Sequence, residues 1–357
     1  MKTYIHIGLH KTGSTAIQNI FENNFINSDV IYNPNELIEL LEKSIDFEKS
    51  RDLNIEKTKN KFLDIKRSNR YKTLFISNEN ISQRFCMQDY EICSRIIKKI
   101  FDDARILLFL RYQTDWILSC YKQAIQLGDV QHVTSFLQFN GSGFGDSSCR
   151  FNKNNLLTIN IHKADWANLI KCYTKFFEKS HLFIFFYENL KNDFENEIKR
   201  VGDIIGVELT LGNKSKQKNI SYSALACYAT IYLHDIFRFL NLENLLQKNT
   251  KLYFEEISYE LDENNRSADY IITWEEAKKT KPFFELIPIF YNKLYLRVIS
   301  ITWRKLWQWY LDRIIYFDWD LLKSNSLRFK LDSIFKKKNQ ELLTIIDKDT
   351  IPQKYIR

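Results

Sequence analysis

Four short apolar runs, Thr3 to Ile7, Thr73 to Ser77, Arg105 to Leu110 and Leu182 to Tyr187, punctuate the first 220 residues. Each ends in a polar loop and is followed by a helical pattern. Runs that are apolar throughout, rather than alternating, predict strands buried on both faces, and their alternation with helices predicts βα units on a parallel sheet. The charged stretch from Glu36 to Arg70 carries helix-forming residues and predicts solvated surface helices between the first two strands. Beyond about residue 222 the periodicity turns helical and aromatic, with Trp303, Trp307, Trp309 and Trp319 among Lys and Arg. The expected architecture is α/β. A central parallel sheet flanked by helices occupies residues 1–222, and a largely helical, aromatic-rich region, residues 223–357, packs on it. Aromatics at helical spacing usually face a core, but a Trp/Tyr/Arg stripe also suits peripheral contact with a membrane surface.

Composition narrows the partners. The chain has 357 residues with 52 Lys+Arg against 44 Asp+Glu, a net charge of +8 that favours anionic ligands without naming one. Its six cysteines are scattered, with no C-x-x-C pair and no histidine cluster at ligand spacing, so neither a zinc site nor a disulfide framework is indicated. The first residues lack the apolar run and cleavage site of a signal peptide, and no stretch approaches the ~18 apolar residues of a spanning helix. The expectation is a cytoplasmic protein, with the inner membrane face open to it through the C-terminal aromatics.

The most informative segment is Gly8-Leu9-His10-Lys11-Thr12-Gly13-Ser14-Thr15, set between the first strand and an apolar-periodic helix with Ile17, Ile20 and Phe21. Glycines let successive amides converge, and the helix N-terminus adds a dipole that favours an anion. A nucleoside-triphosphate loop reads G-x-x-x-x-G-K-[ST]; here the lysine comes early, at Lys11, and Ser14 follows the second glycine. The third strand runs into Arg111, and no strand ends in an aspartate that could hold magnesium. A magnesium nucleotide is disfavoured, and a P-loop kinase or NTPase is the alternative to be tested against.

The run His6-Ile7-Gly8-Leu9-His10-Lys11-Thr12-Gly13-Ser14-Thr15-Ala16-Ile17-Gln18 resembles the 5′-phosphosulfate loop of the sulfotransferases that use PAPS (3′-phosphoadenosine 5′-phosphosulfate), bacterial carbohydrate sulfotransferases in particular. The resemblance implies their P-loop-like fold and transfer of a sulfuryl group to an acceptor hydroxyl of a saccharide or glycolipid. It also implies 3′,5′-ADP (PAP) as product and no required metal; no nucleic-acid partner is expected. Lys11, Thr12, Gly13, Ser14, Thr15 and Ala16 would hold the 5′ side, with Lys11 also serving the departing phosphate.

Three further segments fit the same family. Leu110-Arg111-Tyr112, with Asp115 and Ser119-Cys120-Tyr121 on the following helix (about Thr114 to Leu127), resembles the element in which an Arg and a Ser grip the 3′-phosphate. A proline common two residues after that arginine is Gln113 here. Tyr187-Glu188-Asn189-Leu190 resembles the segment whose tyrosine lies near the adenine, and Lys218-Asn219-Ile220-Ser221 the basic segment that closes over the cofactor. Ser221 or Ser223 would serve equally as a helix N-cap. A weaker echo occurs at Lys338-Asn339-Gln340-Glu341-Leu342-Leu343.

Sulfuryl transfer to an alcohol also needs a group to take the hydroxyl proton. Ser77-Asn78-Glu79 lies just past the second strand and resembles the Ser-x-Glu element of carbohydrate sulfotransferases, which makes Glu79 the first candidate base. His10 is its rival. Three of the nine glycines fall within Asn140 to Asp146, the composition of a surface loop or of a cover over the acceptor.

Overall fold

The computed structural model describes residues 1–25, 29–46, 51–81, 89–126, 128–146, 157–211, 221–240, 312–323 and 326–356. Five parallel strands form one sheet in the order β2-β3-β1-β4-β5. In chain order its elements are β1 (Lys2–Gly8), α1 (Ser14–Phe25), β2 (Val30–Tyr32), α2 (Asn35–Asp46), α3 (Arg51–Arg67), β3 (Thr73–Ser77), α4 (Tyr90–Ile100) and β4 (Ala104–Leu110). There follow α5 (Gln113–Gln126), α6 (Val133–Phe136), α7 (Trp166–Thr174), β5 (Leu182–Phe186), α8 (Tyr187–Asn192), α9 (Phe194–Ile205) and α10 (Ala224–Phe239). A later helix, Leu327–Asn339, is α11 here.

The four apolar runs are the four long strands, within a residue at each end, and the charged stretch is α2 and α3. The three-residue strand β2 pairs with β3 at the sheet edge and is too short to leave a periodic signal. Tyr187 falls just outside β5, as the first residue of α8.

Alternation along the strands divides the core by chemistry. One face carries aliphatic Ile5, Ile7, Leu74, Ile76, Ile106 and Leu108, packed with α2, α4, α5 and α7. The other carries aromatic Tyr4, Phe75, Phe109 and Phe185, covered by Ile17, Phe21 and Phe25 of α1 and Ile198, Val201 and Ile205 of α9. The Phe109 and Phe185 rings stack across neighbouring strands with centroids 4.6 Å apart. Aspartates start two of the covering helices: Asp89 accepts the Ile92 amide at 2.9 Å and Asp165 the Asn168 amide at 3.0 Å.

After residue 222, the described residues place α10 and α11 against α5. Ser223 caps α10: its hydroxyl accepts the Ala226 amide at 3.0 Å and donates to Asp312 at 2.6 Å. Trp319 packs beside Tyr228 and Phe317, whereas Trp303, Trp307 and Trp309 lie outside the described residues. No helix among the described residues is long and apolar enough to cross a membrane.

Because β4 is buried at every residue but Arg105 and Leu108 is fully enclosed, Leu108→Ala should cost about 2–5 kcal/mol, read as a lower midpoint in urea unfolding with the slope unchanged.

Candidate active site

The C-terminal ends of β1, β3 and β4 adjoin, because β1 pairs with β3 on one side and β4 on the other. Lys11, Glu79 and Arg111 issue from these ends, where open α/β sheets hold ligands.

The loop after β1 is shaped by its two glycines. A Cβ on Gly8 would lie 2.7 Å from the Ser14 hydroxyl and 3.1 Å from His6 Nε2, so only glycine lets the loop fold back this closely. Gly13 takes φ +88° and lies against the Tyr187 ring, where a Cβ would sit 3.4 Å away. Lys11 itself has φ 66°, unusual for a side-chain-bearing residue. The Thr12 hydroxyl donates to the Leu9 carbonyl at 2.6 Å and tightens the turn. Ser14, Thr15 and Ala16 form the first turn of α1; the Ala16 amide donates to the Gly13 carbonyl at 3.0 Å, and the Ser14 and Thr15 amides precede any carbonyl the helix could offer them.

Two indoles brace this loop against its neighbour. Trp116 Nε1 donates to the His10 carbonyl at 2.7 Å, Trp166 Nε1 donates to the Arg111 carbonyl at 2.8 Å, and the rings meet edge to face. Arg111, directly after β4, reaches back so that Nη1 donates to the Lys11 carbonyl at 2.9 Å. Its guanidinium lies 4.5 Å over the Tyr187 ring. Arg111 Nε is buried and has no hydrogen-bond partner among the described residues.

Ser119 is buried on α5, and among the described residues no hydrogen bond joins it to the loop. Its neighbour Cys120 is close enough to feel the charges of Lys11 and Arg111, although burial dominates and pushes its thiol up to about 12. This stretch of α5 therefore runs beside both cations. Ser221 is half-buried before α10, while Lys218 lies outside the described residues.

Glu79 opens a 3-10 turn just past β3 and is joined to His10: Nδ1 lies 2.7 Å from Glu79 Oε2. The two rival bases are thus one pair, 17% and 23% exposed. Burial pushes the Glu79 carboxyl up. The hydrogen bond and charge of His10, a hydrogen bond from Ser14 and the nearby His6 outweigh it and hold the carboxyl below the usual range. His6, beneath the loop on β1, is almost fully buried and hydrogen bonds through Nδ1 to the Ser77 hydroxyl at 2.6 Å; burial brings its pKa down to about 4, so it is neutral.

Sequence reading passed over Glu42, on a helix expected to face solvent. Its Oε1 accepts from Asn78 Nδ2 at 2.7 Å and Asn80 Nδ2 at 3.0 Å, gripping both neighbours of Glu79. The two tryptophans were missed as well; nothing local distinguishes an indole that braces a loop from one that fills a core. The glycine-rich segment is a small surface hairpin. Asn140 Oδ1 accepts the Ser142 and Gly143 amides, and Lys330 of α11 donates to the Gly141 carbonyl at 3.3 Å.

The family model for a sulfotransferase domain matches residues 2–228. No curated protein matches the chain. Among solved structures, a sulfotransferase from Alicyclobacillus acidocaldarius is similar at 11% identity, covering 70% of this chain and 96% of that one, TM-score 0.40. Mouse sulfotransferase SULT7A1 complexed with PAP is similar at 13% identity, covering 59% and 61%, TM-score 0.34. The sulfotransferase domain of the Synechococcus PCC 7002 olefin synthase is similar at 13% identity, covering 73% and 95%, TM-score 0.30.

A carboxyl whose pKa is lower folded than unfolded adds stability that is fully present above the unfolded value and is lost as pH falls through the folded one. Glu79→Gln should therefore be less stable than the parent at neutral pH. The gap should close as pH drops below the ordinary carboxylate range, measured by guanidinium unfolding across pH; a constant gap would mean that Glu79 is not held low.

Proposed function

The chain belongs to the sulfotransferase family, and on that premise we propose that it transfers a sulfuryl group from PAPS to an acceptor hydroxyl, that of a saccharide or glycolipid. The observation that carries the reading is the link from Arg111 to the Lys11 carbonyl. It makes one continuous cationic edge of the phosphate loop and the end of β4, suited to a nucleotide bearing phosphates at both 5′ and 3′ positions. The donor set also fits: a glycine-formed turn, a helix N-terminus, and a buried guanidinium nitrogen still lacking an acceptor.

PAPS supplies the activated sulfuryl group. In this reading the amides of Gly13, Ser14 and Thr15, with the rest of the loop Thr12 to Ala16 shaping the turn, hold the 5′-phosphate, and Lys11 neutralises charge on the departing phosphate oxygen as its bond to sulfur breaks. Arg111 and Ser119 hold the 3′-phosphate. Tyr187 supports the guanidinium plane from below and, with Lys218 and Ser221, completes the nucleotide side. On the attacking side the Glu79–His10 pair takes the hydroxyl proton as the new oxygen–sulfur bond forms. The Glu79 carboxyl, held below the usual range, is ionised at neutral pH; the shift lowers its basicity, and the proton passes to it directly or through His10. Among the described residues no group of three or more His, Cys, Asp or Glu could hold a metal ion. Charge neutralisation in this scheme is assigned to Lys11 and Arg111. The saccharide acceptor rests on the resemblance of the His6 to Gln18 run and of Ser77-Asn78-Glu79 to carbohydrate sulfotransferases.

Calorimetric titration with 3′,5′-ADP and with ATP, each with and without Mg²⁺, tests the reading. The expected outcome is 3′,5′-ADP binding that is indifferent to Mg²⁺ and weakened about 10–100-fold by Lys11→Ala, the loss of one or two charge-assisted contacts. Tighter, Mg²⁺-dependent binding of ATP would assign the loop to a kinase or NTPase instead.

A further inference from the structure

The C-terminal segment, residues 327–356, directs several of its polar side chains at one short stretch of the core, Tyr112–Asp115, which immediately follows Arg111. Asp332 of α11 accepts from the Tyr112 hydroxyl at 2.8 Å and the Thr114 hydroxyl at 2.6 Å. Gln113 and Asn339 form a reciprocal amide pair: Gln113 Nε2 donates to Asn339 Oδ1 at 2.6 Å and Asn339 Nδ2 donates to Gln113 Oε1 at 3.1 Å. Arg328 and Lys354 both pair with Asp115. The Tyr355 hydroxyl donates to Glu188 Oε2 at 3.0 Å, and Glu188 Oε1 in turn accepts the Tyr112 amide at 2.9 Å.

All four residues after Arg111 are thus held by one segment far away in sequence. The Gln113–Asn339 pair is buried on both sides and Tyr355 is fully enclosed, so these bonds are directional and expensive to break. Glutamine does not fix its own backbone angle as a proline would, and at Gln113 the constraint is applied through the side chain by Asn339.

We propose that residues 327–356 are a strap that fixes the start of α5 and thereby aims Arg111, so that selectivity for the 3′-phosphate depends on Asn339 and Tyr355 as positioning residues. The inference rests on the assignment of Arg111 to that phosphate. Its distinctive consequence is that loosening the strap harms recognition of the 3′-phosphate more than of the 5′ side, because the 5′ loop keeps its own internal brace from Thr12 to the Leu9 carbonyl and only Trp116 ties it to the start of α5.

The test is the ratio of affinities for 3′,5′-ADP and 5′-AMP, measured by calorimetry on the full chain for the parent, Asn339→Leu and Tyr355→Phe. The expected result is a ratio lowered about tenfold in Asn339→Leu, and by a smaller factor in Tyr355→Phe, with the loss falling mainly on 3′,5′-ADP and not on 5′-AMP. Should Asn339→Leu fail to fold, Tyr355→Phe, which removes one oxygen from a packed ring, decides the matter. A parent-like ratio in the folded variants would overturn the inference, and so would equal losses for both ligands, which would mark the strap as general support. A parent protein with no preference for 3′,5′-ADP would instead overturn the cofactor assignment on which the inference stands.

Discussion

The parallel pairing of β1 with both β3 and β4 is the constraint on which the rest depends. A parallel sheet sends the loops of neighbouring strands out at the same edge. The register His6 to Ser77 and Gly8 to Phe109 sets how far each strand projects. That registration brings Lys11, Glu79 and Arg111 to one rim although up to 100 residues separate them. A one-residue slip would exchange the aliphatic and aromatic faces and is excluded by the packing on both sides.

The loops at this rim are held by side-chain bonds to main-chain carbonyls more than by ion pairs. Trp116, Trp166 and Arg111 each donate to a carbonyl of the neighbouring loop or of the Arg111 junction. Such bonds fix a backbone through neutral carbonyls. The ionised groups that are consumed, Asp115 with Arg328 and Lys354 for example, lie one turn further along, where they secure an element and not a ligand.

The structure turns a choice between two candidate bases into a pair. Glu79 and His10 come from loops 69 residues apart and touch because β1 and β3 are neighbours. Each changes the other: the histidine holds the carboxyl ionised, and the carboxylate fixes the ring's orientation. Glu42 adds a second level of support by holding the turn on which Glu79 sits.

The sequence by itself determined the βα alternation, four of five strands, the glycine loop with Lys11, and the arginine at the end of β4. These are local signals, written in the run of apolar residues and in where glycine falls between strand and helix. It could not supply the His10–Glu79 contact, the grip of Glu42, the bracing indoles or the Gln113–Asn339 pair. Each of these joins residues whose own surroundings look ordinary, and the strand β2 is too short to be periodic at all. Only folding decides such pairings, because strand order and helix packing, and not neighbouring residues, determine which buried polar atoms must find one another.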